Sequence, residues 1–181
     1  MGIMKIIHHF YHNGQPSIPD HVVMSLYDRM MEDGTAKTVF DDGSIQDRES
    51  FLEAMENGCR LHVVVDGDQP VAAIWLNRFE GKMARLHFCF FKEAWGARSA
   101  GVGRFAITEL LNMKFEDEYV YDCFTGFIPD KNKAARMFFQ KIGVGVRTVG
   151  HLPLGHWNNE EGKSEPCTIV YIDRGCMNEG L

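Results

Sequence analysis

Three apolar runs between Leu61 and Phe91, parted by turns too short to hold anything but a reversal, constrain this chain more than any other feature. Leu61–Val65 ends in Asp66-Gly67-Asp68-Gln69-Pro70, a tight-turn signal, and Val71–Arg78 follows it. Glu80-Gly81-Lys82 makes a second turn before Ala84–Phe91. Neighbouring strands joined this closely pair antiparallel, so the segment reads as a meander. Beyond Phe91 the apolar period becomes helical. Gly101–Phe115 sets Val102, Ala106, Leu110 and Met113 on one stripe, and Lys131–Ile142 places Ala135, Phe138, Phe139 and Ile142 at i, i+3, i+4 and i+7. Tyr119–Thr125 reads as a strand between them. Val144–Val149 and Thr168–Asp173 read as the closing strands, joined by a long loop around Trp157–Gly162. Upstream, Lys5–Phe10 is a candidate strand. Pro19–Asp33 is a helix with Val23, Leu26, Tyr27 and Met30 on one face, and Asp47–Asn57 is a shorter helix stopped by Gly58. The order predicts an α/β (α+β) fold: a mixed, mainly antiparallel central sheet of about six to seven strands, with helices on both faces.

No repeat, low-complexity tract or Pro/Ser-rich linker interrupts the 181 residues, so one domain over 1–181 is expected. No apolar run reaches the roughly 20 residues that cross a bilayer, and no membrane partner is expected. No secretion signal is expected from the opening residues, and Ile at position 6 does not fit a myristoylation pattern at Met1-Gly2. Five cysteines (Cys59, Cys89, Cys123, Cys167, Cys176) are odd in number and widely spaced, which argues for a reducing, cytoplasmic setting rather than a disulfide framework. The net charge of −6 is unevenly spread. Glu116, Asp117, Glu118, Asp122 and Asp130 precede a basic stretch of Lys131, Lys133, Arg136, Lys141 and Arg147. A basic patch in an acidic protein suits a compact polyanion, such as a nucleotide or phosphorylated cofactor, and fits nucleic-acid binding poorly.

The segment Arg98-Ser99-Ala100-Gly101-Val102-Gly103-Arg104 lies between the third meander strand and a helix. Two glycines entering a helix let the backbone approach a ligand, and the positive helix end favours phosphate oxygens, with Arg98 and Arg104 adding charge. On their own, the glycines equally suit a tight strand-to-helix connection. Gly101–Ala106 also fits G-x-G-x-x-A, the dinucleotide fingerprint, with Asp122 downstream. Against an oxidoreductase built on it stand the ten or so residues between Phe91 and Gly101 and the antiparallel strands before them.

Arg98-x-x-Gly101-x-Gly103 after a fourth strand resembles the Q/R-x-x-G-x-G/A turn of the GNAT acyltransferase superfamily, which cradles the diphosphate of acyl-coenzyme A. Ile128-Pro129-x-x-Asn132-x-x-Ala135-x-x-x-Phe139-x-Lys141-x-Gly143 resembles that family's N-x-x-A-x-x-x-Y-x-K-x-G helix. The likeness is close over Leu61–Val149, and the N-terminal helices match in layout.

The resemblance implies an acyl-coenzyme A-dependent N-acyltransferase, acetyl first among acyl groups, in which an amine attacks the thioester directly in a ternary complex. It implies that the strands over Ala84–Phe91 and Tyr119–Thr125 splay apart around the pantetheine arm. Backbone groups of Phe88, Cys89 and Phe90 would pair with that arm and polarise the thioester carbonyl. Ser99, Ala100, Gly101, Val102, Gly103 and the flanking arginines would hold the diphosphate, so a bulky residue at 103 is expected to occupy phosphate space. Asn132 would line the cofactor from its helix. Acidic N-terminal helices favour a cationic amine acceptor, on a small molecule or a protein.

Phe139 stands where the family often carries a tyrosine that protonates the leaving thiolate. Tyr121 or Cys123 are candidate replacements, and a GNAT-shaped acyl-coenzyme A-binding module without turnover is the alternative. His87 is the candidate base, with Glu80 and Asp122 behind it. Strand alternation puts His87 and Cys89 on one face and Phe88 and Phe90 on the other, and the pattern alone assigns neither to the cleft. No metal is expected. His8-His9 and His12 are split by strand alternation, and His151 and His156 have no carboxylate at a recognisable spacing. No G-x-S-x-G nucleophile elbow is present.

Overall fold

A computed structural model describes residues 3–143 and 145–175. Met1-Gly2, Val144 at the head of an expected strand, and Cys176 lie outside the described residues. The chain opens with β1 (Met4–His8) and a small hairpin, β2 (Tyr11–His12) and β3 (Gln15–Pro16). Helices α1 (Asp20–Glu32), α2 (Ala36–Val39) and α3 (Arg48–Asn57) follow, and then the expected meander, β4 (Arg60–Asp66), β5 (Gln69–Glu80) and β6 (Met83–Phe90). A 3-10 turn (Lys92–Ala94) leads into α4 (Ala97–Asn112). A second small hairpin, β7 (Lys114–Phe115) and β8 (Glu118–Tyr119), precedes β9 (Cys123–Pro129), α5 (Lys133–Lys141) and the long final hairpin, β10 (Arg147–Asn158) and β11 (Lys163–Asp173).

The seven-stranded sheet runs β1-β4-β5-β6-β9-β11-β10. Every pairing in it is antiparallel except β6 with β9. Alternation along the strands feeds two separate cores. On one face Leu86 and Ala84 of β6 pack with Val102, Ala106 and Leu110 of α4 and Phe138 of α5. On the other, Trp75 and Cys89 pack with Val23, Leu26 and Met30 of α1, Ala36 of α2 and Phe51 of α3. Local signals agree with these placements. Pro19 stands at the α1 N-cap, and Asp47 and Ser50 form a reciprocal capping box at α3.

Three boundaries depart from the sequence reading. Helix α4 begins at Ala97, four residues before Gly101, because Gly96 adopts a φ of 74° and turns the chain into the helix early. The strand expected at Tyr119–Thr125 runs instead over Cys123–Pro129. Glu116 and Asp117 take positive φ and fold Tyr119 back against Lys114, so the β-favouring Tyr-Val-Tyr run is spent on a hairpin and its exit. The stretch expected as a long loop around Trp157 is mostly strand, and residues 159–162 form the turn between β10 and β11.

Candidate functional site

The one parallel pair in the sheet is also its shortest. β6 and β9 are in register at Met83–Cys123, Ala84–Phe124 and Arg85–Thr125, and pairing stops there. Each strand then follows its other neighbour. β6 stays with β5 as far as Phe90–Ala72, and β9 stays with β11 as far as Pro129–Cys167. The sheet therefore forks, leaving the facing backbone edges of 86–90 and 126–129 without a strand between them. A backbone edge inside a fold needs polar partners, and an extended ligand carrying amides supplies them. A cavity of about 510 Å³ fills the fork and is lined from both faces of the sheet, by α5 on one side and by the segment between α1 and α3 on the other.

On the α5 side the walls are aromatic. Phe88, Phe90, Phe138 and Phe139 all line the cavity, and the rings in contact have centroids 4.8 to 5.6 Å apart. Phe139 thus sits in the cavity wall with no hydroxyl to give. Asn132 also lines the cavity, as the N-cap of α5. Its Oδ1 accepts the Ala135 amide at 3.0 Å, which leaves the amide nitrogen as the side chain's donor. Trp95 Nε1 donates to the Phe90 carbonyl at 2.8 Å, so one acceptor on the β6 edge already has a partner.

On the other side the walls are polar. Asp33, Asp41 and Asp42 line the cavity with Thr35, Thr38, His87, Cys89, His156 and Trp157. His87 stacks flat on Trp75 at 5.6 Å, and its Nε2 is 3.1 Å from Asn77 Oδ1. Burial, reinforced by Arg85, pushes its pKa down to about 4, so the imidazole is neutral near pH 7 and a weak base. Burial pushes the Cys89 thiol up to about 11, and Thr35 Oγ1 lies 3.2 Å from its sulfur. This thiol stays protonated.

The sequence held no signal for the group opposite. His156 Nε2 lies 2.9 Å from Asp41 Oδ1, and both side chains are largely buried. Asp41 Oδ2 pairs with Lys131 at 3.1 Å, and Lys131 pairs with Glu165 at 2.8 Å. The Asn159 amide donates to the Asp41 carbonyl at 2.8 Å. His156 and Asp41 are 115 residues apart, and only the folded hairpin brings them together. His151 likewise finds a distant carboxylate, Asp130, at 2.8 Å. Both histidines correct the expectation drawn from local spacing. Lys131, expected in a basic patch, is neutralised by two acids.

The Arg98–Arg104 segment differs in detail from expectation. It is the first two turns of α4, where the Ser99 amide donates to the Gly96 carbonyl at 3.3 Å and the amides of Ala97 and Arg98, at the first two helical positions, lack intrahelical acceptors. Ala100 is half-buried there and Val102 is core. A Cβ on Gly101 would meet nothing within 4 Å, so this side of the helix is open. Gly103 is buried instead, and a Cβ there would overlap the Phe138 ring. Its missing side chain serves the α4–α5 contact, not a phosphate. Arg98 is held by Asp66 and by the Glu93 carbonyl. Arg104 Nε donates to the Ile142 carbonyl at 2.9 Å, closing the end of α5. Arg98 is thus neutralised by a carboxylate, whereas Arg104 is exposed and, among the described residues, bonded only through Nε to a carbonyl.

The expected substitutes for a tyrosine acid lie elsewhere. Tyr121 is 2% exposed in the core, with its hydroxyl accepting from Arg60 at 3.2 Å. Cys123 sits at the closed end of the fork, opposite Met83, outside the cavity. Glu80 is exposed at the end of β5, and Asp122 pairs with Arg174 at 2.6 Å. Cys59, Cys89, Cys123 and Cys167 are free thiols. Among the described residues no group of three or more His, Cys, Asp or Glu side chains is placed to hold a metal ion, and no helix is long and apolar enough to cross a membrane.

No protein-family model and no curated protein sequence matches the chain. Solved structures do. An aminoglycoside N(6')acetyltransferase from Legionella pneumophila superposes with a TM-score of 0.69 at 11% identity, covering 100% of this chain and 98% of that one. Spermidine N-acetyltransferase from Vibrio cholerae, in complex with CoA and spermine, gives 0.66 at 14% identity over 96% and 98%. A ribosomal L7/L12 alpha-N-protein acetyltransferase in complex with coenzyme A gives 0.64 at 9% identity over 86% and 90%. With its forked sheet and these structural neighbours, the chain has the fold of the GNAT N-acetyltransferase superfamily.

Proposed function

We propose that this protein transfers an acyl group, acetyl first among candidates, from a coenzyme A thioester to an amine. The observation that carries the reading is the fork. A 510 Å³ cavity passes through the sheet where β6 and β9 part, so a thioester entering from the α4–α5 side can meet a nucleophile arriving from the α1–α3 side. The amides at the start of α4 suit the diphosphate, and the unpaired edge of β6 suits the pantetheine amides, with the Phe90 carbonyl already taken by Trp95. On the opposite wall Asp33 and Asp41 are paired with Lys92 and Lys131, and Asp42 adds a further carboxylate, which favours a cationic acceptor. Structural neighbours that acetylate spermidine, an aminoglycoside and a ribosomal protein fit an amine acceptor. Holding amine and thioester together at the fork supplies the rate enhancement expected of positioning, and β6 backbone donors stabilise the developing oxyanion.

Calorimetry with acetyl-coenzyme A, followed by free-thiol release across a panel of polyamines, aminoglycosides and peptide N-termini, tests the reading. Saturable binding and amine-dependent thiol release are expected. No binding at millimolar acetyl-coenzyme A would overturn it. The absence of a hydroxyl on Phe139 favours a second reading, a binding module without turnover, and tight binding with no thiol release from any amine would establish that instead.

A further inference from the structure

His156 and His87 both line the cavity, and their partners give them different chemistry. His87 faces the neutral amide of Asn77 and the ring of Trp75. His156 faces a carboxylate. Asp41 is shared with Lys131, so its oxygens only accept, and the His156 nitrogen 2.9 Å away must be the one bearing hydrogen. That fixes Nε2–H and leaves Nδ1 with the lone pair. The charged groups around the ring are Asp41 and Asp42 from the segment between α2 and α3, Lys131 before α5, and Glu165 on β11. Arg85 on β6 lines the same cavity. Asp41 and Glu165 outnumber Lys131 in the immediate shell of His156. A carboxylate that orients a histidine while its other nitrogen accepts a proton is the general-base arrangement, here built from the α2–α3 segment and β10.

We propose that His156, oriented by Asp41, takes the proton that a cationic acceptor must lose before it attacks. This rests on the acyltransferase reading above. The acceptor ammonium gives one proton to His156 Nδ1. The freed amine forms the new C–N bond at the thioester carbonyl carbon, and the C–S bond breaks. The departing sulfur takes a second proton from the same nitrogen, directly or through water, and His156 returns its own proton to solvent. Ammonium plus thioester thus become amide, free thiol and one released proton.

Two measurements test the assignment. In the 15N-labelled protein without ligands, imidazole nitrogen shifts should report His156 as the Nε2–H tautomer, and Asp41→Asn should disturb it. An Nδ1–H tautomer would overturn the proposal. With acetyl-coenzyme A and the best amine of the panel, His156→Gln keeps a donor for Asp41 but has no base. Its kcat/KM should fall about 100-fold or more near neutral pH and recover toward wild type as pH approaches the amine's own pKa, while acetyl-coenzyme A affinity by calorimetry holds. A loss equal at every pH would mark His156 as structural and overturn the base role alone. A wild type that binds acetyl-coenzyme A and turns over no amine would overturn the acyltransferase reading, and the base role with it.

Discussion

The two glycines of the α4 segment look alike in sequence and are not alike in space. Gly103 lies under the Phe138 ring, whereas the Gly101 side of the helix is open. Gly103→Leu forces a side chain into the α4–α5 contact and should cost about 1–3 kcal/mol or more in urea denaturation. Gly101→Ala removes a glycine from a helix interior and should gain about 0.5–1 kcal/mol. Equal effects at both sites would contradict this packing. Burial drives the pKa of His62 down to about 3 and that of His87 to about 4, from 6.5. The unfolded chain takes up these protons as pH falls through 6.5, while the folded chain resists until near 4 and below. The contribution of these two histidines to stability is therefore full above pH 6.5 and is lost on acidification through that window. Urea midpoints at pH 7.5 and 5 should differ accordingly, and His62→Gln should shrink the difference. A difference unchanged in that variant would place the proton uptake elsewhere. The glycine pattern in the sequence marked the correct helix but not the division of labour, because nothing local to residue 103 names Phe138 as its neighbour.

Among the elements, those whose signals are local were legible. The meander, α1 with its buried stripe, α3 with its Asp47 cap and α5 with its apolar face all stand where period and turn residues put them. The fork was implied only through the family resemblance. Its backbone cause, two strands each staying with an outer neighbour, is tertiary and leaves no pattern in either strand. Strand β9 starts four residues later than its sequence suggests because local β-propensity in Tyr119–Tyr121 is spent on a hairpin with Lys114. Asn132 carries a prediction at this scale. Its side chain caps α5, so Asn132→Ala should cost about 1 kcal/mol, while Asn132→Asp keeps an acceptor at the positive helix end and should be nearly neutral. If the Asn132 amide nitrogen also meets the coenzyme, the Asp variant should weaken acetyl-coenzyme A binding without loss of stability. Stability unmoved in the Ala variant would remove the capping role.

Across the whole molecule, the two sides of the cavity belong to different parts of the chain. The α4–α5 side is continuous in sequence and carries both motifs, which is why the coenzyme half was legible. The opposite wall joins the segment between α2 and α3 to the tip of the β10–β11 hairpin, more than a hundred residues on, and its contacts had no sequence signature. Lys131 ties that wall together, bridging Asp41 and Glu165 from just ahead of α5. Its ammonium is partly exposed, so the pairs are worth little as global stability, and Lys131→Met should leave the urea midpoint nearly unchanged. Its effect should be local and one-sided. Without the cation, Asp41 and Glu165 repel, the Asn159–Asp41 backbone bond loses support, and amide exchange should rise at residues 155–162 but not in α1 or α4. In the transferase reading, the KM for the amine should then rise several-fold while acetyl-coenzyme A affinity holds, because the diphosphate and pantetheine are assigned to the start of α4 and the edge of β6, which Lys131 does not join. A parallel loss of both would show that the two halves are coupled through the fork, and that the wall of aspartates is not a separate acceptor site.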